Sequence, residues 1–66
     1  MQLARISILE GQPDDAKRTM IARVTDAIAD SLHLEPGHVR VLIDELPPEH
    51  WGVGGLSMRD RQAGSN

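Results

Sequence analysis

The chain has 66 residues, a formal net charge of −3 and no cysteine. A domain of this size buries only about 60% of its unfolded surface, and it usually gains stability from disulfides, a metal or oligomerisation. The lack of cysteine excludes disulfides and thiolate metal sites, and the three histidines show no helical or finger-type ligand spacing. For a single domain spanning residues 1–66, oligomerisation remains.

Composition also narrows the range of partners. An acidic chain with one aromatic residue lacks the basic face that nucleic acid binding requires. No apolar run approaches the roughly 20 residues of a membrane span, and the first five residues lack the apolar core of a signal peptide. We therefore expect a cytoplasmic protein that binds neither nucleic acid nor membrane.

A strand and a long helix open the chain. From Leu3 to Leu9 apolar and polar residues alternate, which is the period of a strand. From Pro13 to about His33 apolar residues recur at helical spacing and predict one buried stripe. The stripe consists of Ala16, Met20, Val24, Ala27, Ile28 and Leu32. The charges off this stripe are interpreted as a solvated face; they are Arg18, Arg23, Asp26 and Asp30.

A second strand follows the helix. Pro36 ends the helix, because proline disfavours helical backbone at the residue before it. Val39–Leu46 then alternates again, with Val39 on one face and Arg40 on the other. Strand, helix and strand predict a β-α-β unit with parallel strands and a right-handed crossover. Its two open sheet edges and one uncovered sheet face also predict assembly with other chains.

The segment 46–55 holds the only aromatic residue, Trp51, and three of the six glycines. The glycines permit backbone with positive φ or a close approach to another chain. Trp51 is then either positioned at a site or packed into a core gap, and composition leaves both readings open. After it, residues 56–61 are interpreted as a short strand that lies on a neighbour, and residues 62–66 as a frayed end.

Three parts of the chain resemble 4-oxalocrotonate tautomerase and its close relatives. They are the stretch Ile6-Ser7-Ile8-Leu9-Glu10-Gly11, the run Val39-Arg40-Val41 and the late motif His50-Trp51-Gly52-Val53-Gly54-Gly55. The resemblance implies an α+β fold with parallel β-α-β strands and a C-terminal hairpin, which assembles into dimers and hexamers. It also implies keto-enol tautomerisation of small 2-hydroxy-dienoate carboxylates with no metal or organic cofactor. The family's base is an amino-terminal proline.

The resemblance assigns substrate-binding roles to several residues. Arg40 matches an arginine that holds the substrate, and Trp51 matches the aromatic of the pocket. Leu9 and His38 occupy positions whose backbone lines that pocket. Gln12 stands where the family has a second substrate arginine, so one cationic contact is lost.

The same match puts the catalytic base in question. Gln2 stands where the catalytic proline is expected, and a glutamine amide is not a base near neutral pH. If Met1 is retained, the terminal amine lies one residue further out than the nitrogen of the family's proline. In the site that the resemblance implies, adjacent cations and an apolar wall lower the pKa of the family's terminal amine towards neutrality, where a general base works best.

Simpler readings of single residues stay open. Arg40 could be an exposed strand residue paired with a carboxylate such as Asp44. Trp51 could pack in an interface, and His50 is interpreted as a surface turn residue rather than a proton shuttle.

Three functions follow from the sequence. The first is a subunit that co-assembles with a proline-bearing paralogue. The second is a weakly active homo-oligomeric tautomerase that uses the Met1 amine. The third is a non-catalytic binder of small carboxylates.

Overall fold

The fold is a β-α-β unit followed by a short hairpin and a second helix. The computed structural model describes residues 1–64. Its elements are β1 (Gln2–Leu9), α1 (Asp14–Leu32), β2 (Val39–Leu46), β3 (Gly52–Val53), β4 (Leu56–Ser57) and α2 (Met58–Gly64). Single 3₁₀ turns at Pro36–His38 and Pro48–His50 precede β2 and β3. Over the described residues, no helix combines the length and the apolar character needed to cross a bilayer.

The two long strands form a parallel sheet, as the sequence predicts. The register runs from Gln2 opposite Val39 to Leu9 opposite Leu46. Burial alternates along β1, with Ile6 and Ile8 less exposed than the residues between them. These side chains and Val39 face α1, because successive side chains of a strand point to opposite sides of the sheet.

The ends of α1 follow from local sequence. Pro13 is its N-cap residue, and Asp14 and Asp15 place negative charge in the first turn, at the positive end of the helix dipole. His33 ends the helix in the left-handed conformation, with φ 57°, and its N–H bonds to the carbonyl oxygen of Ala29. The predicted helix, from Pro13 to about His33, is therefore confirmed to within one residue at each end.

The core between α1 and the sheet is small. Over residues 1–62, only Ala29 and Val39 are buried, with 7% and 8% of their surface exposed. The predicted stripe is partly wrong, because Ala16, Ala27 and Leu32 are exposed. Two strands only about 4.8 Å apart cover a narrow part of a helix surface, so the stripe's outer members stay uncovered.

The other side of the sheet has no covering layer within the described residues. This open face consists of Leu3, Arg5, Ser7 and Leu9 on β1 and Arg40, Leu42, Asp44 and Leu46 on β2. Leu3 and Leu42 are 63% and 47% exposed. Arg5 Nε donates to Asp44 Oδ2 at 2.9 Å, and this bond raises the pKa of the Arg5 guanidinium. The alternative pairing of Arg40 with Asp44 is therefore wrong.

Residues 47–64 form a C-terminal arm. Its strands β3 and β4 pair antiparallel across Gly54 and Gly55, whose positive φ values of 62° and 90° suit a tight hairpin turn. The arm's contacts are chiefly internal, between α2, β4 and the 3₁₀ turn at Pro48–His50. The molecule measures 46 Å in its longest dimension, against about 28 Å for a 19-residue helix, so the arm extends beyond the β-α-β unit.

The prediction of a strand over residues 56–61 is wrong beyond Ser57. Residues Met58–Gly64 form α2 instead, and β4 pairs with β3 of the same chain. Ser57 starts this helix, because its Oγ accepts a hydrogen bond of 3.1 Å from the backbone N–H of Asp60, an N-cap contact. The predicted fraying is likewise wrong for residues 62–64; positions 65 and 66 lie outside the described residues.

Candidate functional site

The first group of predicted site residues lies where both parallel strands begin. The register places Gln2 beside Val39 and Leu3 beside Arg40, so Gln2 and Arg40 are near neighbours on opposite faces of the sheet. Met1 is 72% exposed, and His38 is exposed at the end of the 3₁₀ turn that leads into β2. Among residues 1–64 Arg40 forms neither an ion pair nor a side-chain hydrogen bond. Its guanidinium is therefore available to an external carboxylate.

The second group lies at the opposite end of the sheet, in a groove between β1 and the first turns of α1. The groove has a volume of about 320 Å³ and is lined by Ile8, Leu9, Gln12, Ala16, Lys17 and Met20. It contains two predicted site residues, Leu9 and Gln12. Gln12 is exposed at the rim, and Leu9 is half-buried.

Sequence reasoning missed the cation of this groove. Lys17 Nζ lies 2.7 Å from Glu45 Oε1 on β2 and 3.2 Å from Asp14 Oδ1 in the same helix. Only 20% of the Lys17 side chain is exposed. The hydrogen bond to Glu45, and then the one to Asp14, raise the pKa of Lys17 above its ordinary value. The i,i+3 spacing of Asp14 and Lys17 is visible in the sequence, but the pairing with Glu45 depends on the fold.

Trp51 lies in the C-terminal arm and is half-buried. It follows the 3₁₀ turn at Pro48–His50, and its carbonyl oxygen accepts a 2.6 Å hydrogen bond from the Met58 N–H. Within the same arm Arg59 pairs with Glu49 at 3.2 Å. The arm thus fixes the backbone at Trp51 from both sides. His50 is exposed, as expected of a surface turn residue.

One chain does not gather these residues into one site. Leu9 lies seven residue steps after Gln2 along β1, a distance of about 23 Å at 3.3 Å per residue. Arg40 lies with Gln2 at one end, the groove is at the other end, and Trp51 is in the arm beyond β2. A pocket that combines all of these side chains has to receive them from more than one chain.

A wider concavity lies near the end of α1, away from the predicted site residues. It has a volume of about 600 Å³ and is lined by Asp26, Ala27, Ala29, Asp30, His33, Leu34 and Pro36. Within residues 1–64 no group of three or more acidic or histidine side chains has the geometry to hold a metal ion. None of the predicted site residues lines this concavity.

Comparison with known proteins gives a consistent result. The family model described as tautomerase enzyme matches residues 3–61. A 2-hydroxymuconate tautomerase of Pseudomonas sp. strain CF600 is 46% identical over 55 residues, which cover 83% of this chain and 87% of that protein.

Two solved structures extend the similarity to the fold. TomN, a 4-oxalocrotonate tautomerase homologue in the tomaymycin biosynthetic pathway, superposes with a TM-score of 0.94 at 34% identity, covering 97% of this chain and 98% of that one. A chain of the heterohexamer 4-oxalocrotonate tautomerase from Chloroflexus aurantiacus superposes with a TM-score of 0.86 at 38% identity, covering 91% and 97%.

Proposed function

Because the chain belongs to the tautomerase enzyme family, we propose that it is a subunit of an oligomeric tautomerase whose sites form between chains. The reaction is a proton transfer that converts a 2-hydroxy-dienoate to its conjugated ketone. The observation that carries the proposal is the separation of the site residues. Arg40 lies opposite Leu3 at one end of the sheet, and Leu9 lies about 20 Å away at the other end, beside the groove that contains Gln12.

Each group contributes a different part of the site. Arg40, exposed and unpaired within residues 1–64, binds the carboxylate of the substrate through its guanidinium. The same cation stabilises negative charge that develops on the enolate oxygen during proton transfer. Trp51, held by the arm, forms an apolar wall that excludes water from the reacting carbons.

The catalytic base is the part that this chain lacks. Gln2 occupies the first position of β1, opposite Val39. Its amide can donate and accept hydrogen bonds but takes up no proton near neutral pH. We therefore propose that a related chain with an amino-terminal proline supplies the base, and that this chain supplies Arg40 and Trp51 across the interface. The heterohexamer from Chloroflexus aurantiacus is a family precedent for two chain types in one assembly.

Mixing tests the proposal. The purified chain should turn over 2-hydroxymuconate weakly or not at all, whereas a co-expressed assembly with a proline-bearing paralogue should show activity that neither chain has alone. In that assembly, Arg40→Ala in this chain should lower kcat/KM by about tenfold or more. Unchanged activity in the Arg40→Ala assembly would contradict the role of this chain in the site.

The two remaining functions give different outcomes in the same assays. A homo-oligomer that uses the Met1 amine would turn over substrate without a partner, and Arg40→Ala would reduce that turnover. A binder of small carboxylates would show saturable binding that depends on Arg40, with no turnover in any mixture. The intact mass of the purified chain, measured first, shows whether Met1 is retained and therefore which terminal amine is present.

A further inference from the structure

The groove beside Gln12 has apolar walls. Ile8 and Leu9 contribute from the end of β1, and Met20 contributes from α1. All three of these residues are partly buried. With a volume of about 320 Å³ the groove is the size of a small-ligand subsite.

The one cation that lines this groove is already neutralised. Lys17 contacts the carboxylates of Glu45 and Asp14 at 2.7 and 3.2 Å, so the three groups together carry a net charge of −1. The Glu45 side chain is 34% exposed. Because solvent and salt screen a partly buried ion pair less than an exposed one, the pairing of Lys17 with Glu45 keeps part of its strength. A further carboxylate in the groove would meet a lysine that is already paired with two carboxylates, and their like charges would repel it.

The start of α1 and the rim of the groove add no positive charge that would attract an anion into the groove. Asp14 and Asp15 occupy the first turn, so negative charge already faces the positive end of the helix dipole. Gln12, at the rim, is uncharged and offers one amide donor group and one amide acceptor. Local electrostatics therefore favour an uncharged group over an anion.

We infer that this groove holds the uncharged, apolar end of the substrate, so that the site selects monocarboxylates over dicarboxylates. The inference rests on the proposed function, in which Arg40 of another chain binds the single carboxylate at the far end of the ligand. Gln12 hydrogen-bonds to the ligand where the groove opens, and Lys17 acts as a positioning residue that holds Glu45 and the first turn of α1 in place.

The test compares 2-oxohexanoate with 2-oxohexanedioate, which differ only in the terminal methyl and carboxylate groups. Calorimetric titration of the assembled protein should show 2-oxohexanoate binding at least about tenfold more tightly. Gln12→Arg adds a free cation at the rim and should improve binding of the diacid by about tenfold. Glu45→Gln, which releases Lys17 from one carboxylate, should shift the preference in the same direction.

Ala22→Arg is the matched control, because it adds the same charge at an exposed position of α1 that does not line the groove. This variant should leave the ratio of the two affinities unchanged. Equal binding of both acids, or a Gln12→Arg ratio equal to that of Ala22→Arg, would overturn the inference and leave the proposed function standing. If neither acid binds to the unmodified assembly or to any variant, both the inference and the proposed function would be overturned.

Discussion

The open face of the sheet gives a quantitative test of assembly. Leu3 and Leu42 are 63% and 47% exposed, so together they present about as much surface as one fully exposed leucine. Burying that surface between chains would contribute about 1.5–3 kcal/mol per chain. If two copies each bury this surface in their contact, about 3–6 kcal/mol is at stake. The double variant Leu3→Ser/Leu42→Ser should therefore raise the dissociation constant by a factor of roughly 10² to 10⁴.

The chain contains a matched control pair. Ile21 and Leu32 are 40% and 53% exposed, but they lie on α1, away from the open face. Sedimentation velocity over a range of concentrations should show the Leu3→Ser/Leu42→Ser protein dissociating where Ile21→Ser/Leu32→Ser and the unmodified chain stay assembled. Equal dissociation of both double variants, or of neither, would refute the claim that the open face is an interface.

Three further predictions concern local features of the fold. His33→Gly should raise the free energy of unfolding in urea by about 1 kcal/mol, because glycine adopts the left-handed backbone at this C-cap without the strain of a side chain. A His33→Gly protein no more stable than the His33→Ala protein would contradict this. Ser57→Ala should cost about 1 kcal/mol and speed hydrogen exchange in α2, whereas unchanged exchange at Asp60 would dismiss the cap. Lys17→Met should lower the free energy of unfolding at neutral pH. The difference from the unmodified chain should shrink as pH rises above 10.5, because the pKa of Lys17 is raised and its stabilising charge is lost only at alkaline pH. A difference that does not change between pH 8 and 12 would exclude the ion pairs as its cause.

Much of the fold can be read from local patterns. The alternation in residues 3–9 and in Val39–Leu46 and the helical spacing after Pro13 placed both parallel strands and α1 almost to the residue. Helix α2 was missed because it is only seven residues long and has mixed charge, although Ser57 followed three positions later by Asp60 is a recognisable capping pattern.

The site was less accessible to such reasoning. A parallel register, once inferred, already implies that Gln2 and Leu9 lie at opposite ends of one sheet, but no local pattern gives the neighbouring chain that joins them. The bond between Lys17 and Glu45 links residues 28 positions apart and depends on how α1 crosses the sheet. Side-chain pairs of this kind become visible only in three dimensions.

The most direct test of a site shared between chains is complementation by subunit mixing. Arg40→Ala and Trp51→Ala chains, each assembled alone, should bind 2-oxohexanoate weakly. Unfolding them together at equal concentration and refolding the mixture should restore strong binding at about a quarter of the sites, because those sites receive Arg40 from one chain and Trp51 from another. Recovery of no strong sites in the mixed assembly would show that both side chains act within one chain, contrary to this account.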